Sequence, residues 1–99
     1  MKQFLVALIL GFSMFASAQN KVIGTISDNQ NKPLSRVTIS IPEVHKETIS
    51  DENGNYNLSN LPSGKFKIVF SFVGFATQSQ DIIINQKETT ISVQLVEDL

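Results

Sequence analysis

The run Asp51-Glu52-Asn53-Gly54-Asn55-Tyr56-Asn57-Leu58, followed by Leu61-Pro62-Ser63-Gly64-Lys65-Phe66, decides the fold class of this 99-residue chain. Residues 51–55 are a polar, glycine-containing turn. Tyr56 and Leu58 then alternate with Asn55 and Asn57. Residues 61–64 turn again, and Phe66 opens a second alternating run. A period of two between closely spaced turn signals predicts short strands of a small antiparallel β-domain. Within the first turn, Asn53-Gly54 offers the positive φ that a tight hairpin requires.

The same period extends in both directions. Upstream, Val22, Gly24 and Ile26 alternate with Ile23, Thr25 and Ser27, and Val37, Ile39 and Ile41 alternate with Thr38 and Ser40. Pro42 stops this second run, because proline cannot donate to a ladder. Residues 48–50 add a short strand before the Asp51 turn. Downstream, Phe66, Ile68, Phe70 and Phe72 share one face, with Lys65, Lys67, Val69 and Ser71 on the other. Val73-Gly74-Phe75 breaks that strand at a bulge or tight bend. Residues 78–84 and 89–95 complete the set, the last with Ile91, Val93 and Leu95 inward. Seven short strands separated by turns predict an all-β, seven-stranded antiparallel β-sandwich. Tyr56, Phe66, Phe70 and Phe72 are expected in its core, each worth roughly 1.5–3 kcal/mol when buried. Phe75, just past Gly74, is the aromatic expected at the surface.

Residues 1–18 read as an address rather than as part of the fold. Lys2 precedes an apolar stretch from Phe4 to Phe15, and Ala16-Ser17-Ala18 is an A-x-A cleavage site. A spanning helix needs roughly 20 apolar residues, and polar residues begin at Gln19. The expected organisation is therefore a signal peptide over 1–18 and one β-sandwich domain over 19–99, exported and not inserted in a membrane after cleavage. The chain has no cysteine, which excludes disulfides and a lipidated N-terminal Cys. The domain must stand on its hydrophobic core, near the lower size limit for doing so: a roughly 60-residue domain buries only about 60% of its unfolded surface. The net charge of −1 and the absence of a basic block make nucleic acid a poor partner.

No pattern carries catalysis. His45 is the only histidine, and its neighbours Glu43 and Glu47 fall short of the four ligands, mostly Cys and His, of a structural zinc site. Asp51 opens a stretch like the start of a calcium loop, but position 12 from it is Pro62 rather than a bidentate Glu, so the turn is structural. The serines lack a positioned base. Asp51/Glu52 and Glu97/Asp98 are sequence neighbours and so point to opposite faces of a strand. The glycines are isolated and form no phosphate loop. No catalytic, cofactor or metal residue is assigned, and the protein is expected not to be an enzyme.

Four pieces in order carry a family resemblance: Ile23-Gly24-Thr25-Ile26-Ser27-Asp28, Lys32-Pro33-Leu34-Ser35-Arg36-Val37-Thr38-Ile39, the run from Asp51 to Phe66, and Phe72-Val73-Gly74-Phe75. Together they resemble the carboxypeptidase regulatory-like domain. The resemblance implies a transthyretin/prealbumin-like β-sandwich of about seven strands. In exported proteins of Bacteroidetes-type bacteria this domain commonly precedes the plug of TonB-dependent outer-membrane nutrient receptors, and residues 91–98 resemble the strand just before the TonB-interacting segment. Neither plug nor barrel occurs before Leu99, so a receptor fragment and a stand-alone module are both open, and transport is not carried over. Peptidase activity is not implied, because the zinc ligands of those carboxypeptidases lie in another domain. A related adhesin sandwich often holds a Lys–Asn isopeptide. Lys21 is a possible donor, but the last strand lacks Asn.

The resulting expectation is a non-catalytic interaction or scaffold module, periplasmic or associated with the outer membrane. Its partner is a cell-envelope protein, either a receptor plug or a periplasmic component. The alternative is a secreted β-sandwich that binds glycan or another extracellular ligand through Phe75 and the loop from Asp28 to Pro33.

Overall fold

The computed structural model describes residues 19–98, so the expected leader over residues 1–18 lies outside the described residues. The described chain forms strands β1 (Asn20–Ser27), β2 (Thr38–Ile41), β3 (Lys46–Ile49), β4 (Asn55–Leu61), β5 (Gly64–Ser71), β6 (Gln78–Ile84), β7 (Glu88–Thr90) and β8 (Val93–Gln94). One sheet has the order β4-β1-β7, with β8 also paired to β1, and the other has the order β3-β2-β5-β6. The all-β sandwich is as expected. Its core follows the period of two: Val22 and Ile26 of β1, Ile39 and Ile41 of β2, Ile68 and Phe70 of β5, and Ile82 and Ile84 of β6 are buried. Tyr56, Leu58 and Leu61 of β4 and Val93 and Leu95 near the C-terminus join them. Among the described residues no helix is long and apolar enough to cross a membrane.

The strand count is eight rather than seven because the expected strand over 89–95 is interrupted. Lys21 pairs with Glu88 and Ile26 with Val93, so the offset is 67 on both sides of the break and the register is kept (88 − 21 = 93 − 26). Both pairings are parallel, so the sandwich is not wholly antiparallel. The break has a local cause. Ile91 N–H still donates to the Ile23 carbonyl at 2.8 Å. In a regular parallel ladder the Thr25 N–H would then go to the Ile91 carbonyl. Instead it goes to the Ser92 hydroxyl at 3.1 Å, and the Ile91 carbonyl accepts from the Tyr56 hydroxyl. The carbonyl lies over Gly24, where a Cβ would be 1.8 Å from its oxygen.

The two turns of the deciding stretch are not hairpins. β3 and β4 lie in different sheets, as do β4 and β5, so both turns carry the chain across the sandwich. Of Asn53 and Gly54, only Gly54 has positive φ, at 78°. The turn winds around one carboxylate: Asp51 Oδ1 accepts the N–H groups of Asn53 and Asn55, each at 2.9 Å, in the manner of an Asx-turn. The Gly54 carbonyl then accepts from Ile26 N–H at 2.8 Å and ties the turn to β1. A Cβ on Gly54 would stand 2.4 Å from the Ile26 carbonyl oxygen.

The aromatic assignments divide. Tyr56 and Phe70 are core and meet edge to face, with ring centroids 5.9 Å apart. Phe66 and Phe72 are only partly buried and pack on the rim of the core, because each sits near an end of β5 where fewer neighbours cover it. Phe75 is also half-buried against the core, not exposed. The residue left in solvent is Val73, at 93% exposure. Gly74 makes a turn with φ of 87° rather than a bulge.

Candidate functional site

The register places the loop at 28–36, the crossover at 51–54, the turn at 72–77 and the segment at 95–98 at one end of the sandwich. Thr25 faces Asn55, Thr38 faces both Ile49 and Ser71, and Phe70 faces Gln78. The two features expected to mark a ligand site, Phe75 and the loop from Asp28 to Pro33, are therefore brought to the same end.

The 28–33 loop repeats the carboxylate device of the Asp51 turn. Asp28 Oδ1 accepts Gln30 N–H at 2.8 Å and Lys32 N–H at 3.0 Å. These donors, Lys32 first, hold the Asp28 carboxyl below its ordinary pKa. Asn31, at φ of 63°, accepts from the Gln94 side chain at 2.6 Å, and the Gln94 carbonyl accepts from the Gln78 side chain. This relay joins the loop to the start of β6. Gln94 reads from the sequence as an outward strand position, and no motif links it to Asn31 or to Gln78.

The 72–77 turn is held on two sides. Phe75 N–H donates to the Phe72 carbonyl at 3.1 Å, and the two rings lie 5.5 Å apart. The C-terminal segment runs alongside: Ala76 N–H donates to the Val96 carbonyl at 2.8 Å, and Asp98 N–H donates to the Gly74 carbonyl at 2.9 Å. Val73 is thus an exposed apolar side chain on a turn hydrogen-bonded to the C-terminal segment, which itself leaves Val96 52% exposed. The same end carries Asp28, Asp51, Glu52, Glu97 and Asp98 against the cations Lys32 and Arg36. This end thus presents an exposed apolar side chain, Val73, and carries more acidic than basic residues.

The remaining candidates fall elsewhere. His45 sits in a left-handed conformation after the turn at Pro42–Val44, at the opposite end. Its neighbour Glu43 is engaged with the Lys67 N–H at 2.8 Å, taking the ladder position that Pro42 vacates. Among the described residues no three His, Cys, Asp or Glu side chains gather as a metal site. Lys21 pairs with Glu88 at 3.3 Å. An open groove of about 620 Å³ is lined by Ile23, Thr25, Ile49, Asn55, Asn57 and Ser92, among others, and presents hydroxyl and amide groups beside two isoleucines.

The described residues form a two-sheet β-sandwich with its distinctive groups on end loops, where binding residues are disproportionately found. Residues 22–99 match the CarboxypepD_reg-like domain family, and the chain belongs to that family. It is 32% identical over 79 residues to TonB-dependent receptor P39 of Formosa agariphila, an alignment covering 76% of this chain and 8% of the receptor. It is 38% identical over 56 residues to a bone sialoprotein-binding protein of Staphylococcus aureus, covering 52% of this chain and 5% of that protein. The chain thus spans less than a tenth of the length of either relative. A chain from a type II cohesin–X-dockerin complex of Acetivibrio cellulolyticus superimposes with a TM-score of 0.64 at 16% identity, over 74% of this chain and 51% of the other. That likeness is one of fold.

Proposed function

We propose that this domain is a non-catalytic protein-interaction module of the bacterial cell envelope, exported by a signal peptide over residues 1–18. In this reading residues 19–99 act as a scaffold like the N-terminal part of a TonB-dependent receptor. The family membership and the similarity to a receptor from Formosa agariphila support the setting. The observation that carries the reading is the tip: Val73 at 93% exposure, on a turn already hydrogen-bonded to the C-terminal segment. An apolar group presented on an ordered turn loses little conformational freedom on binding. The partner is a receptor plug or a periplasmic protein.

The test is crosslinking and recovery from cell envelopes with the exported protein. Outer-membrane uptake or envelope-signalling components are expected with the wild type and are lost with Val73→Asp at unchanged melting temperature. Recovery of no envelope component by a normally folded protein refutes the reading.

A second reading, glycan binding, is favoured by the hydroxyl- and amide-lined groove on the β1–β4 sheet. Glycan-array binding that disappears in Asn55→Ala, but not in Val73→Asp, selects it over the first.

A further inference from the structure

The first and last strands of the described chain lie side by side and run in the same direction. β1 pairs in parallel with β7, starting from Lys21 and Glu88, and with β8 as far as Ser27 and Gln94. Hydrogen bonds extend the seam at both ends. Lys21 N–H donates to the Lys87 carbonyl at 2.9 Å, and Leu95 N–H donates to the Ser27 carbonyl at 2.8 Å. The break at residues 91–92 leaves no gap in this line, because Ile91 N–H reaches the Ile23 carbonyl at 2.8 Å and the Ser92 hydroxyl accepts Thr25 N–H at 3.1 Å. Both sides of the seam are anchored in the core, one through Val22 and Ile26 and the other through Val93 and Leu95. The shared direction sets the two ends of the domain at opposite ends of the sandwich. The chain enters β1 at Asn20, one residue before the Lys21–Glu88 pair, and leaves past Gln94, where Asp98 N–H is bonded to the Gly74 carbonyl.

We propose that this seam is a mechanical clamp, and that the domain serves as a force-carrying link that stays folded when its two ends are pulled apart. A pull at residue 19 draws β1 towards one end of the sandwich, and a pull at residue 98 draws β7 and β8 towards the other. The two sides of the seam must then slide along each other, so the bonds from Lys21 to Ser27 are strained together rather than in turn. Had the first and last strands been antiparallel, both ends would lie together and the same pull would open the ladder one bond at a time. The neighbours of the seam share the load. β1 pairs on its other side with β4 from Val22 to Thr25, so it cannot be drawn out without shearing a second ladder. At the far end Ala76 N–H holds the Val96 carbonyl and the Gly74 carbonyl holds Asp98 N–H, which passes force to the turn between β5 and β6 in the other sheet. Forced unfolding is governed by the unfolding rate and not by equilibrium stability. A small domain without disulfides can therefore resist force through the direction of its strands, without a larger core.

The chain has no cysteine, so introduced pairs fix the points of pulling in single-molecule force measurements on the full-length chain. Gln19→Cys with Asp98→Cys loads the seam along its length. Gln19→Cys with Lys87→Cys pulls apart two neighbouring points at one end of it and opens it bond by bond. All three positions are exposed, so the two proteins should melt alike and differ only in the direction of load. At one loading rate the end-to-end pull should need a several-fold higher force and should release β1 to β8 in a single step. Ser92→Ala removes the acceptor of Thr25 N–H and should lower the end-to-end force while leaving the other unchanged. Equal forces in the two geometries overturn the proposal. So does an end-to-end trace in which β7 and β8 come away first in a separate low-force step, or an end-to-end force that Ser92→Ala does not lower.

Discussion

The hydroxyl of Tyr56 donates to the main-chain carbonyl of Ile91, 35 residues away, and takes the place of a ladder bond from β1. Three separate parts of the chain meet there. Gly24 supplies the missing Cβ, Tyr56 supplies the donor, and Ser92 takes over the Thr25 N–H that the Ile91 carbonyl has given up. Burial pushes the Tyr56 phenol above its ordinary pKa, so it stays a donor across the physiological range. Tyr56→Phe should leave the Ile91 carbonyl unsatisfied at a cost of about 1–3 kcal/mol. Gly24→Ala should cost more than Tyr56→Phe, because its Cβ would meet backbone rather than a movable side chain. Urea melts of the two single variants and the double variant check this. The double variant should lose less than the sum, since both changes disrupt one arrangement.

Phe70 and Phe66 separate core from rim on the same face of β5. Phe70 is fully buried against Tyr56, so Phe70→Ala should cost about 3–5 kcal/mol. Phe66 is only partly buried at the start of the strand, so Phe66→Ala should cost clearly less. Equal losses in denaturant melts would mean that Phe66 belongs to the core.

The fold was legible because its strands alternate. Val37, Ile39 and Ile41, then Ile68 and Phe70, then Ile82 and Ile84, lie inward where the period of two places them. What the alternation could not carry was which strands pair. The Asp51 turn has the composition of a hairpin, yet it spans the two sheets. A carboxylate winding its own backbone looks the same in sequence whichever way the next strand departs. Likewise the exposure of Val73 rather than Phe75 depends on the C-terminal segment lying against Gly74 and Ala76, a contact between residues 20 and 24 apart in sequence. The surface at this end was half-visible: the 28–33 loop and the Phe75 turn stood out separately, and the Asn31–Gln94–Gln78 relay and the C-terminal segment join them.

Ser50 is a buried polar residue whose role no sequence pattern announced. Its hydroxyl donates to the Leu34 carbonyl at 2.7 Å and accepts from Val37 N–H at 2.9 Å. It thereby fastens the segment before β2 to the end of β3. Ser50→Ala should leave both backbone groups without a partner and cost about 1–3 kcal/mol. Ser50→Thr should retain most of that stability if the extra methyl is accommodated. Amide exchange at Val37 gives a local readout: it should accelerate in Ser50→Ala more than exchange at Ile68.

Asp28 should make stability depend on pH at the acidic end. Its folded pKa is depressed, first by the Lys32 N–H and then by the Gln30 N–H. The unfolded chain therefore binds the proton more readily than the folded one, and the carboxylate stabilises the fold wherever the unfolded Asp is ionised. That contribution is fully present above the unfolded pKa of about 3.9. It is lost as pH falls through the lower folded value. Asp28→Asn keeps an acceptor oxygen at the same place but does not titrate. Wild type should therefore be more stable than Asp28→Asn near neutral pH, and the two denaturation midpoints should converge under strongly acidic conditions. The group is exposed, so salt should shrink the difference. A gap between the two proteins that stays constant from neutral to acidic pH would mean that the carboxylate's charge contributes nothing to holding the 28–33 loop.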